Sequence, residues 1–361
     1  VYPTPTGEIT GTTDICPGES TVITMSFIGA APFDFTYTDG TTPVTITGHP
    51  SVVFTTTVSP AVSTTYTLTA LSDGNGCTGT VSGAADITVN VPATINLVGT
   101  DPLCAGDFTG EIDLQILSGT PAYSFQWTGP NGYTANVEDI TNLEDGTYDV
   151  IVTDGNGCET PGTIDLIDPA VLTVSAAVTS SYNGEDISCN GALDGELTAT
   201  PGGGTGAYSF EWFEDAALTI STGQTTAVAT GLGAGTYWVQ VTDANLCTTT
   251  AFATLTEPDA LAIVVNVTSN HNGQQISCNG ASDGEATAIP SGGTGAYTYE
   301  WFEDAGLTIS TGITTQVASG LPAGDYWVRV LDVNSCEIVG TVTITEPAPV
   351  AAVASVTSDY N

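Results

Sequence analysis

Tyr208-Ser209-Phe210-Glu211-Trp212 sets a large aromatic ring at every second position, with a serine and a glutamate between. Side chains alternate faces along a strand, so the three rings share one side and Ser209 and Glu211 meet water. A strand with that much aromatic surface on one face is a core strand. Upstream, Leu172 to Thr179 alternates loosely as a first strand, and Glu196 to Thr200 as a second. Gly202-Gly203-Gly204-Thr205-Gly206 is a turn leading into the aromatic strand. Downstream, Gly235 to Val241 points Tyr237, Val239 and Val241 inward. Asp243-Ala244-Asn245-Leu246 turns the chain into a last strand through Thr256. Six to eight short strands in under ninety residues, with no helical period, predict a β-sandwich.

The same unit recurs. ISCNGALDGELTATPGGGTGAYSFEWFEDAALTISTG is followed 89 residues later by ISCNGASDGEATAIPSGGTGAYTYEWFEDAGLTISTG. Trp212, Tyr237 and Pro258 map to Trp301, Tyr326 and Pro347, and well over half of the residues match without a gap. A more distant copy precedes them, with LCAGDFTGEIDLQILSGTPAYSFQW and NLEDGTYDVIVTDGNGCE. Each of these copies closes on an acid and a proline: Asp168-Pro169, Glu257-Pro258 and Glu346-Pro347. Proline holds its predecessor extended, which makes short, stiffened joints. A looser relative, from ICPGEST to TTYTLTALSDGNGC, comes first. The expected modules are therefore 1–92, 93–169, 170–258 and 259–347. The tail VAAVASVTSDYN matches Leu172 to Asn183 shifted by twice the repeat, so 348–361 reads as the start of a further repeat and the chain as a segment of something longer.

Leu232, Gly235 and Tyr237, repeated as Leu143, Gly146, Tyr148 and Leu321, Gly324, Tyr326, resemble the tyrosine corner of immunoglobulin-type domains. The expected fold class is all-β, a tandem array of immunoglobulin-like β-sandwich modules.

Charge narrows the function. The 361 residues carry 40 Asp and Glu against one basic residue, Arg329, for a net charge of −39. Nothing can replace counterions on a phosphate backbone, which excludes nucleic acid, and no polybasic patch can hold an anionic membrane surface. Hydrophobic residues make up 41% and charged residues 11%, so the chain is not disordered despite its charge. No apolar run reaches the roughly 18 residues of a membrane helix, and no membrane insertion is expected in this segment. Lack of lysine removes cleavage sites for trypsin-like proteases, and the negative charge disfavours clumping of neighbouring rods.

The eight cysteines are Cys16, Cys77, Cys104, Cys158, Cys189, Cys247, Cys278 and Cys336. No CxxC occurs and the two histidines lie far from any of them, which disfavours zinc. An even, widely spaced set fits disulfides and an oxidising, extracellular compartment. All eight are expected to be oxidised. A bond within each module is the simplest pairing: Cys189 to Cys247 would close 58 residues, worth roughly 4 kcal/mol in chain entropy. Against it, a cysteine before the second strand and one after the sixth lie at opposite ends of an immunoglobulin sandwich. The alternative is bonds between neighbouring modules, for example Cys104 to Cys247.

The pattern CNGxxDGE, GGTGAYxxEW, GLxAGxYWVxVxDxNxC and TEP resembles the SprB-type repeat, carried by about 93–347. Such repeats occur in long cell-surface adhesins of Bacteroidota, including gliding-motility adhesins exported by the type IX secretion system. Module one departs, with CPGES and no core Trp, and looks like the immunoglobulin-like modules that accompany these repeats. The resemblance implies surface filaments and adhesion and fixes no ligand.

Two sets of site residues stand out. Asp-x-Asn-x-Cys ends the Tyr strand in every module: Asp73 and Asn75, Asp154 and Asn156, Asp243 and Asn245, Asp332 and Asn334. With Asp194, Glu196, Asp283 and Glu285 joining if their turns fold alongside, these oxygens are candidate weak calcium ligands, though two per turn fall short of the six to eight calcium takes. The competing reading is a turn in which Asp caps its own backbone. Phe213 with Trp238, and Phe302 with Trp327, fall at outward positions of neighbouring strands. Each pair is a candidate exposed aromatic patch for a glycan or protein partner, but an uncovered Trp and Phe side by side invite aggregation, so a loop such as 214–223, another module, another chain or a glycan is expected to cover them.

Catalysis is not expected: two isolated histidines, no lysine and no module large enough to frame a cleft. No cofactor is called for beyond the calcium candidate. The function expected is a non-catalytic repeat stalk of an extracellular cell-surface adhesin or filament, its partners other copies or modules of the filament or surface glycans. The alternative is a set of glycan-binding accessory modules of a secreted multidomain enzyme.

Overall fold

The computed structural model describes residues 2–357. The chain forms two units, Val1–Pro169 and Ala170–Asn361. Strands dominate both, and among the described residues the only helical turn is a 3-10 turn at Pro130–Gly132.

In the first unit, module one pairs a four-stranded sheet, ordered Val53–Val58, Thr21–Ile28, Thr6–Thr10, Thr80–Ser82, with a five-stranded one, ordered Thr13–Ile15, Ala85–Val89, Thr64–Ser72, Phe33–Thr38, Pro43–His49. Alternation drives this: Thr21–Ile28 buries Ile23, Met25 and Phe27, leaves Thr24 half-buried and exposes Ser26. Where the other modules use a tryptophan, this core uses phenylalanines, with Phe27 stacked on Phe33 at 5.1 Å between centroids. Module two builds one sheet from Thr94–Thr100, Gly110–Ser118 and Ile140–Leu143 and a second from Thr134–Ala135, Ser124–Thr128, Gly146–Thr153 and Glu159–Leu166.

In the second unit each module is a three-on-three sandwich. Thr173–Val178, Gly195–Gly202 and Val228–Leu232 form one sheet of module three; Ser209–Phe213, Gly235–Thr242 and Thr248–Leu255 form the other. Module four repeats the arrangement with Ala262–Val267, Gly284–Ser291 and Val317–Leu321 against Thr298–Phe302, Gly324–Leu331 and Glu337–Ile344. The stretch 348–357 carries no strand, and the last four residues of that tail lie outside the described residues.

Trp127, Trp212 and Trp301 are fully buried at the centres of three cores. A buried indole N–H needs an acceptor. Each finds a backbone carbonyl: Val137 at 3.0 Å, Thr226 at 3.0 Å and Thr315 at 2.9 Å. The tyrosine corners form as expected. Tyr148, Tyr237 and Tyr326 donate their hydroxyls to the carbonyls of Glu144, Gly233 and Pro322, four residues upstream. Leu143, Leu232 and Leu321 are buried beside them.

The cysteine pairing is corrected. Cys16 bonds Cys158, and Cys189 bonds Cys336. Each bond joins one module to the next within its unit. Cys104 and Cys247 are disulfide-bonded as well, while Cys77 and Cys278 are free thiols, so not all eight are oxidised. The register shows why a bond inside module three is excluded. Gly195 pairs with Leu232 and Gly235 with Leu255, which sets the Cys189 loop at one end of the sandwich. Thr242 pairs with Thr248 and Thr173 with Gly202, which sets the Cys247 turn at the other. Eight-residue strands at about 3.3 Å per residue separate these ends by roughly 25 Å, whereas a disulfide needs Cα atoms within about 7 Å.

Candidate interaction sites at the module ends

The turn after the Tyr strand is built by its own aspartate. Asp243 Oδ1 accepts the N–H of Asn245 and of Cys247, both at 2.9 Å, and its Oδ2 accepts the N–H of Thr205 at 2.8 Å. Asp332 does the same with Asn334, Cys336 and Thr294. Gly204 and Gly293 leave room for these carboxylates: both have positive φ, and a Cβ would sit 2.7 Å and 2.6 Å from the aspartate Oδ2. Burial pushes the Asp243 carboxyl up, but the N–H bonds from Thr205, Cys247 and Asn245 outweigh it and hold it below the ordinary carboxylate value. Asp73 behaves alike: burial is outweighed by N–H bonds from Cys77, Ala30 and Asn75.

In the Asp243 and Asp332 turns both oxygens of the aspartate considered as a calcium ligand accept backbone N–H bonds. Asp194 and Asp283 Oδ1 accept the N–H of Ser188 and Ser277, and Glu196 and Glu285 Oε1 accept the hydroxyls of Thr179 and Thr268. Among the described residues no three His, Cys, Asp or Glu side chains converge as a metal would require.

At the other end of modules two, three and four the acid of the acid–proline pair reaches back to the cysteine loop. Asp168 Oδ2, Glu257 Oε2 and Glu346 Oε2 accept the N–H of Gly106, Gly191 and Gly280 at 2.6, 2.6 and 2.7 Å. Sequence reasoning took these acids for parts of stiffened joints. Their recurrence two residues from a core-strand end was the signal that they do more.

The two ends meet in the second unit. Beside the Cys189–Cys336 bond, Asn334 Nδ2 donates to the carbonyls of Tyr182 at 3.2 Å and Ser188 at 3.0 Å. Asn183 Nδ2 donates to Asn334 Oδ1 at 2.6 Å. The Asp-x-Asn-x-Cys turn of module four is thus seated on the cysteine loop of module three.

The aromatic pairs are adjacent, Phe213 opposite Trp238 and Phe302 opposite Trp327 in register. Phe213 and Phe302 are buried, at 6% and 3% exposure, so they are covered and do not form an exposed patch. Each lies at a strand end, and the chain that follows returns beside it, with Ser221 bridging to Phe213 and Ser310 to Phe302. Asp215 and Asp304, which sequence reasoning passed over, tie these returns. Asp215 Oδ1 accepts the N–H of Thr219 and Ile220, and Asp304 Oδ1 that of Thr308 and Ile309. In module four the Arg329 guanidinium lies 5.4 Å from the Phe302 ring centre and pairs with Glu300. Trp238 and Trp327 are half-buried. The exposed ring beside Trp238 is Phe252, 63% exposed with centroids 6.1 Å apart.

Three segments, 97–132, 181–216 and 272–305, match the family model described as the SprB repeat. They start at or before the cysteine loops and run into the turn that follows the tryptophan strand. No curated protein matches the chain. Among solved structures it is similar to an I-band fragment of titin, I67–I69, at 14% identity, covering 71% of this chain and 99% of that one with a TM-score of 0.33. It is also similar to a fragment of a 1.5-MDa bacterial ice-binding adhesin, at 15% identity, 70% and 96% coverage and a TM-score of 0.30. The four N-terminal immunoglobulin domains of Dscam1 align at 11% identity over 96% of this chain and 99% of that one, with a TM-score of 0.22. No helix among the described residues is long and apolar enough to cross a membrane.

Proposed function

We propose that this chain is a non-catalytic stalk segment of an extracellular, cell-surface adhesin or filament, divided into load-bearing modules near residues 92, 169 and 258. Gliding motility and type IX export are the setting that the SprB-repeat segments suggest. The observation that carries the reading is the disulfide that crosses from one module to the next. Pulled from its ends, the chain transmits tension through Cys189, across the bond to Cys336, and onward; the 147-residue separation between them is bypassed. Cys16–Cys158 bypasses a separation of 142 in the same way. Bonds of this kind also fit an oxidising compartment.

Single-molecule pulling tests it. With disulfides intact, modules three and four give no extension from the chain between Cys189 and Cys336. After reduction that chain extends by about 3.3–3.6 Å per residue, roughly 500 Å in all. Full extension without reduction would overturn the stalk reading. A second reading, a glycan platform, is favoured only by Trp238 and Phe252. A glycan array in which binding is lost on Phe252→Thr with unchanged melting would support it.

A further inference from the structure

Modules three and four match at well over half of their residues, yet one surface sets them apart. It is the outward face of the sheet formed by Ser209–Phe213, Gly235–Thr242 and Thr248–Leu255. Strand register lays two rows across it. Phe213, Trp238 and Phe252 form the first row, and Glu211, Gln240 and Thr250 the second. The rows are two residues apart along the strands, roughly 6.6 Å. Along the first row cover falls away: Phe213 is buried, Trp238 half-buried and Phe252 exposed. The Trp238 and Phe252 rings are tilted by 35° to each other. In the second row Glu211 and Thr250 are exposed and Gln240 is half-buried. Among the described residues no partner takes up the side chains of these three.

Module four closes the same face on itself. Its rows are Phe302, Trp327 and Thr341, then Glu300, Arg329 and Val339. Thr341 leaves no ring in the position of Phe252. The Arg329 guanidinium takes the Glu300 carboxylate and lies over the Phe302 ring, and the Val339 side chain forms no hydrogen bond. In module two Thr128, Asp149 and Thr163 replace the ring row, and the Thr163 hydroxyl donates to Asp149 at 2.6 Å. Of these three modules, only module three sets an exposed ring beside a free row of carboxylate, amide and hydroxyl. The place is the flank of the sandwich. Phe252 stands near the middle of Thr248–Leu255, about 10 Å from either end of that strand. The turn of module four and the loop of module three meet at strand ends instead.

We propose that this face of module three binds a neutral polysaccharide of hexopyranose units, one sugar ring lying with its C–H face on Phe252 and Trp238 and its hydroxyls bonded to Gln240, Thr250 and Glu211. The proposal rests on the glycan-platform reading of the ring pair and adds the charge of the ligand and the residues that orient it. A pyranose has an apolar face and a rim of hydroxyls, so its site needs an aromatic ring and hydrogen-bonding groups side by side. The Gln240 amide and the Thr250 hydroxyl each donate and accept, and the Glu211 carboxylate accepts. Charge selects among glycans. Glu211 stands beside the rings, and a chain of charge −39 with no lysine repels uronates and sulfated sugars. Size selects against a protein. One phenyl ring and part of an indole fall far short of the roughly 800 Å² a side that a stable protein interface buries, but suit one or two sugar rings.

The test is native electrophoresis of the full chain in gels cast with mixed-linkage β-glucan, galactomannan, xyloglucan or polygalacturonate, with mobility read against a gel without polysaccharide. The parent chain is expected to be retarded by at least one of the neutral polymers and not by polygalacturonate. Phe252→Thr is expected to weaken binding about tenfold, and Gln240→Met about fivefold, both with unchanged melting. Gln240→Arg, which sets a guanidinium opposite Glu211 as module four does opposite Glu300, is expected to abolish it. Placing Arg329→Gln, Val339→Thr and Thr341→Phe together in the Phe252→Thr chain rebuilds the face in module four and is expected to restore retardation. Retardation by no neutral polymer would overturn the platform reading and this proposal together. Retardation unchanged by Phe252→Thr, or by polygalacturonate alone, would overturn the proposed ligand site. Loss on Phe252→Thr with both Gln240 variants unaffected would leave the platform standing and overturn the polar row. The stalk reading is decided separately, by pulling.

Discussion

The Glu257 carboxylate accepts the backbone N–H of Gly191 at 2.6 Å, tying the last residues of module three to the loop that holds Cys189. The bond links a strand exit to a loop 66 residues earlier, next to the disulfide that crosses into module four. Glu257→Ala removes the acceptor and is expected to cost about 1 kcal/mol, less than the roughly 1.5–3 kcal/mol of a bond to a charged group because the site is exposed. Glu257→Gln, which keeps an oxygen in place, is expected to lose about half of that. Urea midpoints at unchanged slope measure both.

Acid should loosen the module-end turns before it affects the cores. The Asp73, Asp243, Asp215 and Asp304 carboxyls are all held below their ordinary values, the last two foremost by N–H bonds from Ile220 and Ile309. A depressed carboxyl contributes stability that is present above its unfolded value, near pH 4, and is lost as pH falls through the folded value. Melting temperature is expected to hold from pH 7 to about 5 and then drop. Asp243→Asn turns an amide N–H₂ or a neutral oxygen toward the three donors. It is expected to melt lower at pH 7 and to show a flatter acid profile.

Leu246 sits at φ 68° and is 79% exposed, in the position that Gly76 and Gly157 fill in the first unit. A left-handed backbone costs an L side chain about 1–2 kcal/mol, and almost no packing would be lost here. Leu246→Gly is expected to stabilise by about 0.5–1 kcal/mol, net of glycine's greater unfolded-state freedom. A lowered melting temperature would mean that the leucine has a packing role.

Trp238 and Phe252 should separate in a stability measurement. Phe252 is exposed, and its repeat equivalent is Thr341, so Phe252→Thr is expected to change stability by less than about 0.5 kcal/mol. Trp238 lies opposite the buried Phe213, and Trp238→Thr is expected to cost about 1–3 kcal/mol, read by thermal melting.

Period-two alternation named the core faces correctly at Tyr208, Phe210, Trp212, Val239 and Val241, and Leu-x-x-Gly-x-Tyr named the corners. These features depend on neighbours within one strand or one turn. Phe213 shows the limit: alternation sends it outward, but burial depends on chain that returns to the strand end, and the return is tied by Asp215, whose role depends on that loop's backbone. The Asp-x-Asn-x-Cys turns were legible as turns because Asp caps a backbone two and four residues away, which is local chemistry.

By itself, the sequence determined that this is an all-β chain of repeated sandwiches, since strand period, tryptophan spacing and turn residues are local and recur at a constant offset. The tertiary structure decided which cysteines meet. Spacing is the same for every pairing scheme, and chain entropy favours short loops only weakly, as the logarithm of their length. The deciding quantity is the length of a sandwich: the two cysteines of one module sit at opposite ends of it, and only stacking within each unit brings Cys16 to Cys158 and Cys189 to Cys336.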